Sequence, residues 1–136
     1  METDNKKLYR DIAEEVNLGQ TCYINKATKA FFCIPNFEDT EVVEEAFAAE
    51  LAQLEEEKEQ LIKLEQPDGK AGYKMMEDFV QAIDDFEIQS DFMEALYYER
   101  PFASFKQKVR KHSYTSEWNH FRKEKLAELF EAIIAG

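Results

Sequence analysis

The chain has 136 residues and a formal net charge of −12, with 44% apolar and 13% aromatic side chains. This apolar content is sufficient for a folded core, and the length fits one domain but not two ordinary ones. The negative charge disfavours simple electrostatic attachment to nucleic acid or to an anionic membrane. We therefore expect a single domain over residues 1–136, with a helix, a hairpin and an acidic helix in residues 1–66 and a helical part in residues 67–136.

The amino-terminal residues are mixed and polar, and no apolar run follows them. A secretory signal needs such a run, and a membrane span needs about 18 consecutive apolar residues. Because neither pattern is present, we expect a cytoplasmic location.

The first predicted element is a helix over residues 4–16. Its apolar positions Leu8, Ile12 and Val16 recur four residues apart, with Tyr9 and Ala13 beside them. This spacing is typical of an amphipathic helix that buries one face. The glycine that follows at position 19 predicts its end.

Two β-prone runs come next, around a polar turn of hairpin length. With Lys29 in the left-handed region, Asn25 lies opposite Ala30, and the same register places Cys22 opposite Cys33 as a close, non-hydrogen-bonded pair. In a reducing cytoplasm we expect two small buried thiols in preference to a disulfide. Two cysteines without further cysteine or histidine partners do not predict a zinc site.

An acidic helix is predicted after the hairpin, capped by Asp39 or Thr40. Its apolar stripe is Val43, Phe47, Leu51 and Leu54. Residues 38–65 contain eleven acids against two lysines, which favours a solvated face and, as the weaker alternative, a docking surface for a basic partner.

Residues 61–64 are compatible with further helix or with a third strand. We favour the strand, because a lone two-stranded ribbon is only marginally stable. The predicted class is therefore α+β: a mostly helical domain of about five to six helices, with an N-terminal β-hairpin that this strand extends to a small three-stranded antiparallel sheet.

Residues 67–69 predict a turn and the best mid-chain joint. A helix with its stripe at Tyr73, Met76, Phe79, Val80 and Ile83 follows. We place Glu77 and Asp78 near the start of that helix, where the macrodipole favours anions. Ser90 and Asp91 are predicted to cap a short helix that carries Phe92, Leu96 and Tyr97.

Pro101 is predicted to occupy the first turn of the next helix, where its missing N–H costs nothing. Phe102, Phe105 and Val109 then share one face, which we expect to point inward. Residues 113–116 offer caps for the last helix, whose predicted buried side is Trp118, Phe121, Leu126, Leu129, Phe130 and Ile133.

Positive charge is concentrated in residues 99–125, which hold eight basic residues against three acids. This basic window has a net charge of +5, so the rest of the chain carries −17. The candidate binding surface within it is Lys106, Arg110, Lys111, Arg122 and Lys123. Tyr114 or Trp118 is a candidate for base stacking if exposed.

Three motifs occur in the second half of the chain: Met76-Glu77-Asp78-Phe79, Pro101-Phe102-Ala103-Ser104-Phe105-Lys106 and Trp118-Asn119-His120-Phe121. Their order and spacing resemble a bacterial family without an assigned reaction, Uncharacterised Protein Family 0158. The resemblance covers nearly the whole chain. The hairpin segment is also similar to that family, except that Lys29 stands where a glycine is expected.

The resemblance implies a small cytoplasmic protein and transfers no catalytic residue. The positions that match the family motif are Phe102, Phe105, Lys106, Trp118 and Phe121. Aromatic residues at helical spacing are more often core than binding site, so we interpret these aromatics as mainly structural.

The sequence contains no glycine-rich phosphate loop, no Gly-x-Ser-x-Gly elbow and no His-Glu-x-x-His helix. Glu117 and His120, with Glu124 one turn beyond, are the nearest approach to a metal motif, but a di-iron bundle needs that motif from two helices. Nothing in the sequence ties Cys22 or Cys33 to a histidine. We predict no catalytic residue, no metal site and no cofactor.

Two functions remain, and a third class, an unrecognised enzyme, is less favoured. The first is a non-catalytic protein-interaction or regulatory module that uses the acidic helix or the basic window to bind another protein. The alternative is weak binding of nucleic acid or a phosphate ligand through the basic window. The charge of −17 outside that window repels a polyanion, which favours the protein partner.

Overall fold

The computed structural model describes residues 2–35, 44–97 and 100–136. Its elements are α1 (Glu2–Asn17), β1 (Gln20–Asn25), β2 (Phe31–Pro35), a 3₁₀ turn (Glu44–Phe47), α2 (Ala48–Glu57), β3 (Leu61–Leu64), α3 (Gly69–Gln81), α4 (Phe86–Leu96), α5 (Pro101–Lys111) and α6 (Thr115–Ala135). The predicted α+β class is confirmed. Within these ranges, no helix combines the length and the apolar character needed to cross a bilayer.

The chain divides into two compact units. The first comprises Met1–Gln66 and Leu126–Gly136, and the second comprises Pro67–Lys125. The boundary after Gln66 coincides with the predicted joint. Helix α6 contributes its last residues to the first unit and its earlier residues to the second.

The sheet of the first unit is antiparallel with the order β2-β1-β3. Cys22 lies opposite Cys33 as predicted, and the Asn25 N–H donates to the Ala30 carbonyl oxygen at 2.9 Å. The open assignment of residues 61–64 is resolved as a strand, because Leu64 pairs with Cys22 on the other side of β1. The central strand β1 thus has a neighbour on both edges.

The turn of the hairpin is organised by Asn25. Its Oδ1 accepts hydrogen bonds from the backbone N–H groups of Ala27 and Thr28, at 2.8 and 3.1 Å. Its Nδ2 donates to Glu57 Oε1 at 2.8 Å, which links the turn to the end of α2. Lys29 has the predicted left-handed backbone, with φ of 64°, so the turn keeps its shape without glycine.

Cys22 and Cys33 form a disulfide, and the expectation of two reduced thiols is corrected. The register brings the two side chains together, since directly opposed residues at a non-hydrogen-bonded position lie close to each other. Their Cα atoms are 4.1 Å apart. Cys22 is fully buried between the flanking strands.

Helix α1 buries the predicted face, and Ile12, Ala13 and Val16 are inaccessible to solvent. The acidic helix differs from its prediction, because it begins with a 3₁₀ turn and none of the residues of α2 is buried. Asp39, Thr40 and Val43, the predicted caps and first apolar position, lie outside the described residues.

The core of the second unit is aromatic, and Phe79 lies at its centre. Edge-to-face contacts, favourable for π-systems, join its ring to five others: Phe92, Phe105, Tyr114, Trp118 and Phe121, at 5.2–6.3 Å between centroids. The spacing of α3 places Phe79 on the buried face beside Met76 and Val80. Asp68 caps this helix by accepting from the Ala71 N–H at 2.8 Å.

Two predicted helix starts are wrong. Glu77 and Asp78 lie in the second half of α3, where Asp78 pairs with Lys74 one turn earlier at 2.7 Å. The cap of α4 is Asp85, whose side chain accepts from the Ile88 N–H at 3.0 Å, and Asp91 lies inside the helix. A cap five residues earlier adds a full turn to α4.

Two predicted core positions are also partly exposed. Phe102 and Ile133 each retain 43% of their accessible surface, whereas Phe105 and Val109 are buried as expected. Pro101 occupies the predicted first turn of α5.

Helix α5 ends in a Schellman motif. Ser113 has φ of 60°, its N–H donates to the Arg110 carbonyl oxygen, and the Tyr114 N–H donates to that of Val109. The motif turns the chain so that Tyr114 enters the aromatic core.

Candidate binding surfaces

The basic window supplies an ion cluster on α4 and α5. Lys108 Nζ lies 2.9 Å from Asp91 Oδ1, and Lys111 Nζ and His112 Nε2 lie 3.0 and 2.8 Å from Asp91 Oδ2. The hydrogen bond from Lys108, followed by those of His112 and Lys111, holds the pKa of Asp91 well below its ordinary value. Part of the positive charge of the window is therefore engaged within the protein.

The candidate residues of the window have unequal access to solvent. Lys106 and Arg110 are exposed one turn apart on α5, and Lys111 reaches Asp91. Arg122 and Lys123, on α6, are of intermediate exposure. Burial lowers the pKa of the Arg122 guanidinium, which indicates a side chain that is only partly hydrated. The window thus offers fewer solvent-facing cations than the sequence suggests.

The motif aromatics belong mainly to the core. Phe105 is 1% exposed, and Trp118 and Phe121 pack against the same cluster. Tyr114 is stacked on Phe92 with 5.9 Å between centroids. Tyr114 and Trp118, the two candidates for base stacking, therefore make ring contacts inside the second unit.

A feature that sequence analysis missed is the outer face of α4, which we call the α4 stripe. It consists of Phe86, Met93 and Tyr97, with exposed fractions of 78%, 43% and 80%. Positions separated by seven and four residues lie on one face of a helix, because each residue turns the helix by about 100°. Large apolar side chains are thus aligned on a face that points to solvent.

The segment that carries the α4 stripe is acidic in sequence. Between Lys74 and Arg100 the sequence contains eight acids and no lysine or arginine. On α4, Glu87 and Glu94 are exposed and occupy one flank of the stripe, since they too are seven residues apart. The sequence signal for this surface is the absence of basic residues over the segment. A helix that starts at Ser90 or Asp91, as predicted, does not include Phe86, so its alignment with Met93 could not be recognised.

A pocket of about 650 Å³ lies beside the start of α4. Its apolar lining includes Phe79, Ile83, Tyr114 and Phe121. Its polar lining is Asp84, Asp85, Glu117, His120 and Glu124. Four of the described residues that line it are acidic and none is lysine or arginine, so the pocket combines an aromatic floor with a negative rim.

The sequence motif of Glu117, His120 and Glu124 is brought together at this pocket. His120 is exposed there and is not part of the core. Over the described ranges, no three acidic, histidine or cysteine side chains are arranged to hold a metal ion.

Comparison with known proteins gives one match. A model of an uncharacterised protein family (UPF0158) matches residues 4–132. No curated protein and no solved structure matches the chain.

Proposed function

The chain belongs to UPF0158, an uncharacterised protein family, and we propose that it acts as a non-catalytic protein-interaction module. The observation that carries this proposal is the α4 stripe. An aligned row of exposed large apolar side chains is costly in water and is typical of a surface that another protein covers.

The chemistry of the stripe selects the partner. Phe86 and Tyr97 offer aromatic contact area, and Glu87 places negative charge on the flank of the stripe. The complementary surface is the apolar face of a helix whose flanks carry lysine or arginine. A second copy docked through its own α4 stripe would bring like charges together, so a basic amphipathic helix of another protein is the proposed occupant.

The size of the stripe bounds the affinity. Helix α4 has 11 residues and is about 16 Å long at 1.5 Å per residue. Stable interfaces bury about 800 Å² on each partner, and one short helix face supplies only part of that area. We therefore expect a transient complex with a dissociation constant on the order of 1–100 µM.

The alternative of nucleic-acid binding through the basic window has less support. Lys108 and Lys111 contact Asp91, and Arg122 is partly buried. Each phosphate contact requires a cation that can reach it, and the acidic surroundings of the α4 stripe lie in the same unit.

Site-specific photocrosslinking tests the proposal. A photoreactive amino acid replaces Tyr97 in the native cell, and mass spectrometry identifies the attached peptide. We expect a discrete protein adduct whose crosslinked segment is basic and amphipathic. A synthetic peptide of that segment should bind the purified protein, and Phe86→Ser with Met93→Ser should weaken it about tenfold or more.

Leu18, which is 73% exposed in the first unit, provides the matched control. Placing the photoreactive residue there should not give the same adduct, and Leu18→Ser should leave peptide affinity unchanged. Crosslinking to nucleic acid, to an acidic segment, or equally from both positions would contradict the proposal. Exposed apolar-to-serine changes should alter stability by less than about 0.5 kcal/mol, which thermal unfolding checks.

A further inference from the structure

We infer that the acid-rimmed pocket beside α4 binds an arginine side chain. This inference rests on the proposed function, because it names a contact that the basic partner of the α4 stripe makes. The pocket and the stripe meet in sequence: Asp85 lines the pocket, and Phe86 begins the stripe. A segment bound at the start of α4 would therefore pass close to the pocket.

The floor of the pocket suits a flat, cationic group. The rings of Phe79, Tyr114 and Phe121 line it, and Phe79 is held edge-to-face against the other two at 6.3 and 5.4 Å. Such contacts fix the orientation of the rings. Lys125 Nζ lies over the Phe121 ring, 5.4 Å from its centroid, so one face of that ring already makes a cation–π contact within the protein.

The rim provides the counter-charge. Glu117 comes from the first turn of α6, and Asp84 comes from the connection between α3 and α4. Their carboxylates approach the pocket from two different elements. A guanidinium has five donors in a planar fork, which can serve carboxylates in its plane while its faces contact aromatic rings.

These properties favour arginine over the other occupants. An ammonium ion is a strongly hydrated point charge without a flat face, so it uses the rings less well. A neutral apolar side chain would leave the carboxylates of Asp84 and Glu117 without a cationic partner. The volume of about 650 Å³ falls within the range of about 300–1,000 Å³ of ligand pockets and leaves room for the backbone of the segment.

A titration with a minimal probe tests the pocket without the partner. N-acetyl-arginine-N-methylamide is added to the ¹⁵N-labelled full chain, and amide chemical shifts are recorded at low salt. We expect saturable shifts confined to residues 82–85 and 114–124, with a dissociation constant on the order of 1 mM. The citrulline analogue, which has nearly the same shape without the charge, should bind at least five-fold more weakly.

Two double variants distinguish binding of the arginine probe in the pocket from its general attraction to an acidic protein. Glu117→Gln with Asp84→Asn should weaken the arginine probe at least five-fold. Glu45→Gln with Glu56→Gln removes the same charge from exposed positions in the first unit and should have no such effect. Asp85 is kept, because it caps α4.

Equal binding of the citrulline analogue, equal effects of the two pairs, or shifts spread over α2 would overturn the pocket assignment. These outcomes differ from a failure of the proposed function. If the probe does not bind but the crosslink from position 97 still depends on Phe86, only the arginine pocket is wrong. If the probe binds and no position-specific crosslink forms, the pocket stands and the α4 stripe loses its role.

Discussion

Asp91 has a different role in the structure from the one that the sequence predicts. The sequence suggests a helix cap, and the structure gives it Lys108, Lys111 and His112 as partners 17 to 21 positions later in the chain. Asp91 and Lys108 are only 20% and 19% exposed, whereas Lys111 is 59% exposed. The ion pair of Asp91 with Lys108 is therefore less screened by solvent and should contribute most of the stabilisation that the cluster provides.

Replacing Asp91 by asparagine should lower the free energy of unfolding by about 1–3 kcal/mol at neutral pH, because hydrogen bonds to a charged acceptor are lost at a mostly buried site. Urea unfolding measures the difference. Lys111→Ala should cost less than about 0.5 kcal/mol, since its side chain is mostly exposed. Glu87→Gln, an exposed acid on the same helix, is the matched control and should be neutral.

The stability difference between wild type and Asp91→Asn should also depend on pH. The pKa of Asp91 is lowered in the folded state, so the folded protein binds fewer protons than the unfolded chain, whose aspartate pKa is about 3.9. The contribution of ionised Asp91 to the free energy of unfolding is complete above about pH 5 and declines as the pH falls below that unfolded pKa. The stability gap between wild type and Asp91→Asn should therefore narrow in acid. A gap that widens in acid would contradict this assignment.

At the scale of elements, the hairpin shows how far local pattern reaches. The turn at Asn25 sets the register, and the register determines that Cys22 meets Cys33. Oxidation state does not follow from register, and the expectation of free thiols came from an assumed compartment. The start of α4 shows the opposite case, because Asp85 and Ser90 are both acceptable caps and only packing distinguishes them.

The disulfide predicts a redox-dependent stability. The two cysteines are separated by 11 positions, and closing a loop of that size stabilises a protein by about 2–3 kcal/mol in the chain-entropy description. Dithiothreitol should lower the free energy of unfolding by that amount. Protein prepared without reductant should resist alkylation at both cysteines after unfolding.

The variant Cys22→Ala with Cys33→Ala controls this experiment, since dithiothreitol should not change its stability. Modification of both cysteines by iodoacetamide without prior reduction, or an unchanged unfolding curve after reduction, would refute the disulfide.

At the scale of the whole molecule, charge is the property that most restricts function. The net charge is −12, and the window that carries the positive charge uses Lys108 and Lys111 to hold Asp91. Helix α4, which carries the α4 stripe proposed for binding, contains no lysine or arginine. The α4 stripe therefore lies on an acidic helix, and the two lysines that reach α4 are engaged by Asp91.

This distribution predicts very weak binding to nucleic acid. Fluorescence anisotropy with labelled RNA and DNA oligonucleotides should give dissociation constants above about 10⁻⁴ M at physiological salt. Arg110→Glu with Lys111→Glu should change little. Tight binding that falls steeply with salt and is lost in this double variant would instead establish the basic window as the functional surface.

The sequence by itself determined the elements whose signals are local. The helical stripe of α1, the hairpin register around Asn25 and Pro101 at the start of α5 all follow from periodicity, turn chemistry or backbone restriction. These signals lie within a few residues of one another, so no knowledge of the fold is needed to use them.

Only the tertiary structure decided which faces remain uncovered. Phe102 and Phe105 belong to one motif, yet one is 43% and the other 1% exposed, because burial depends on which elements pack against each face. The Asp91 cluster and the acid-rimmed pocket likewise join residues that are distant in sequence. The exposure of the α4 stripe depends on elements that are distant in sequence from α4. Periodicity predicts that a helix has an apolar face, but it does not say which apolar side chains the protein leaves for a partner.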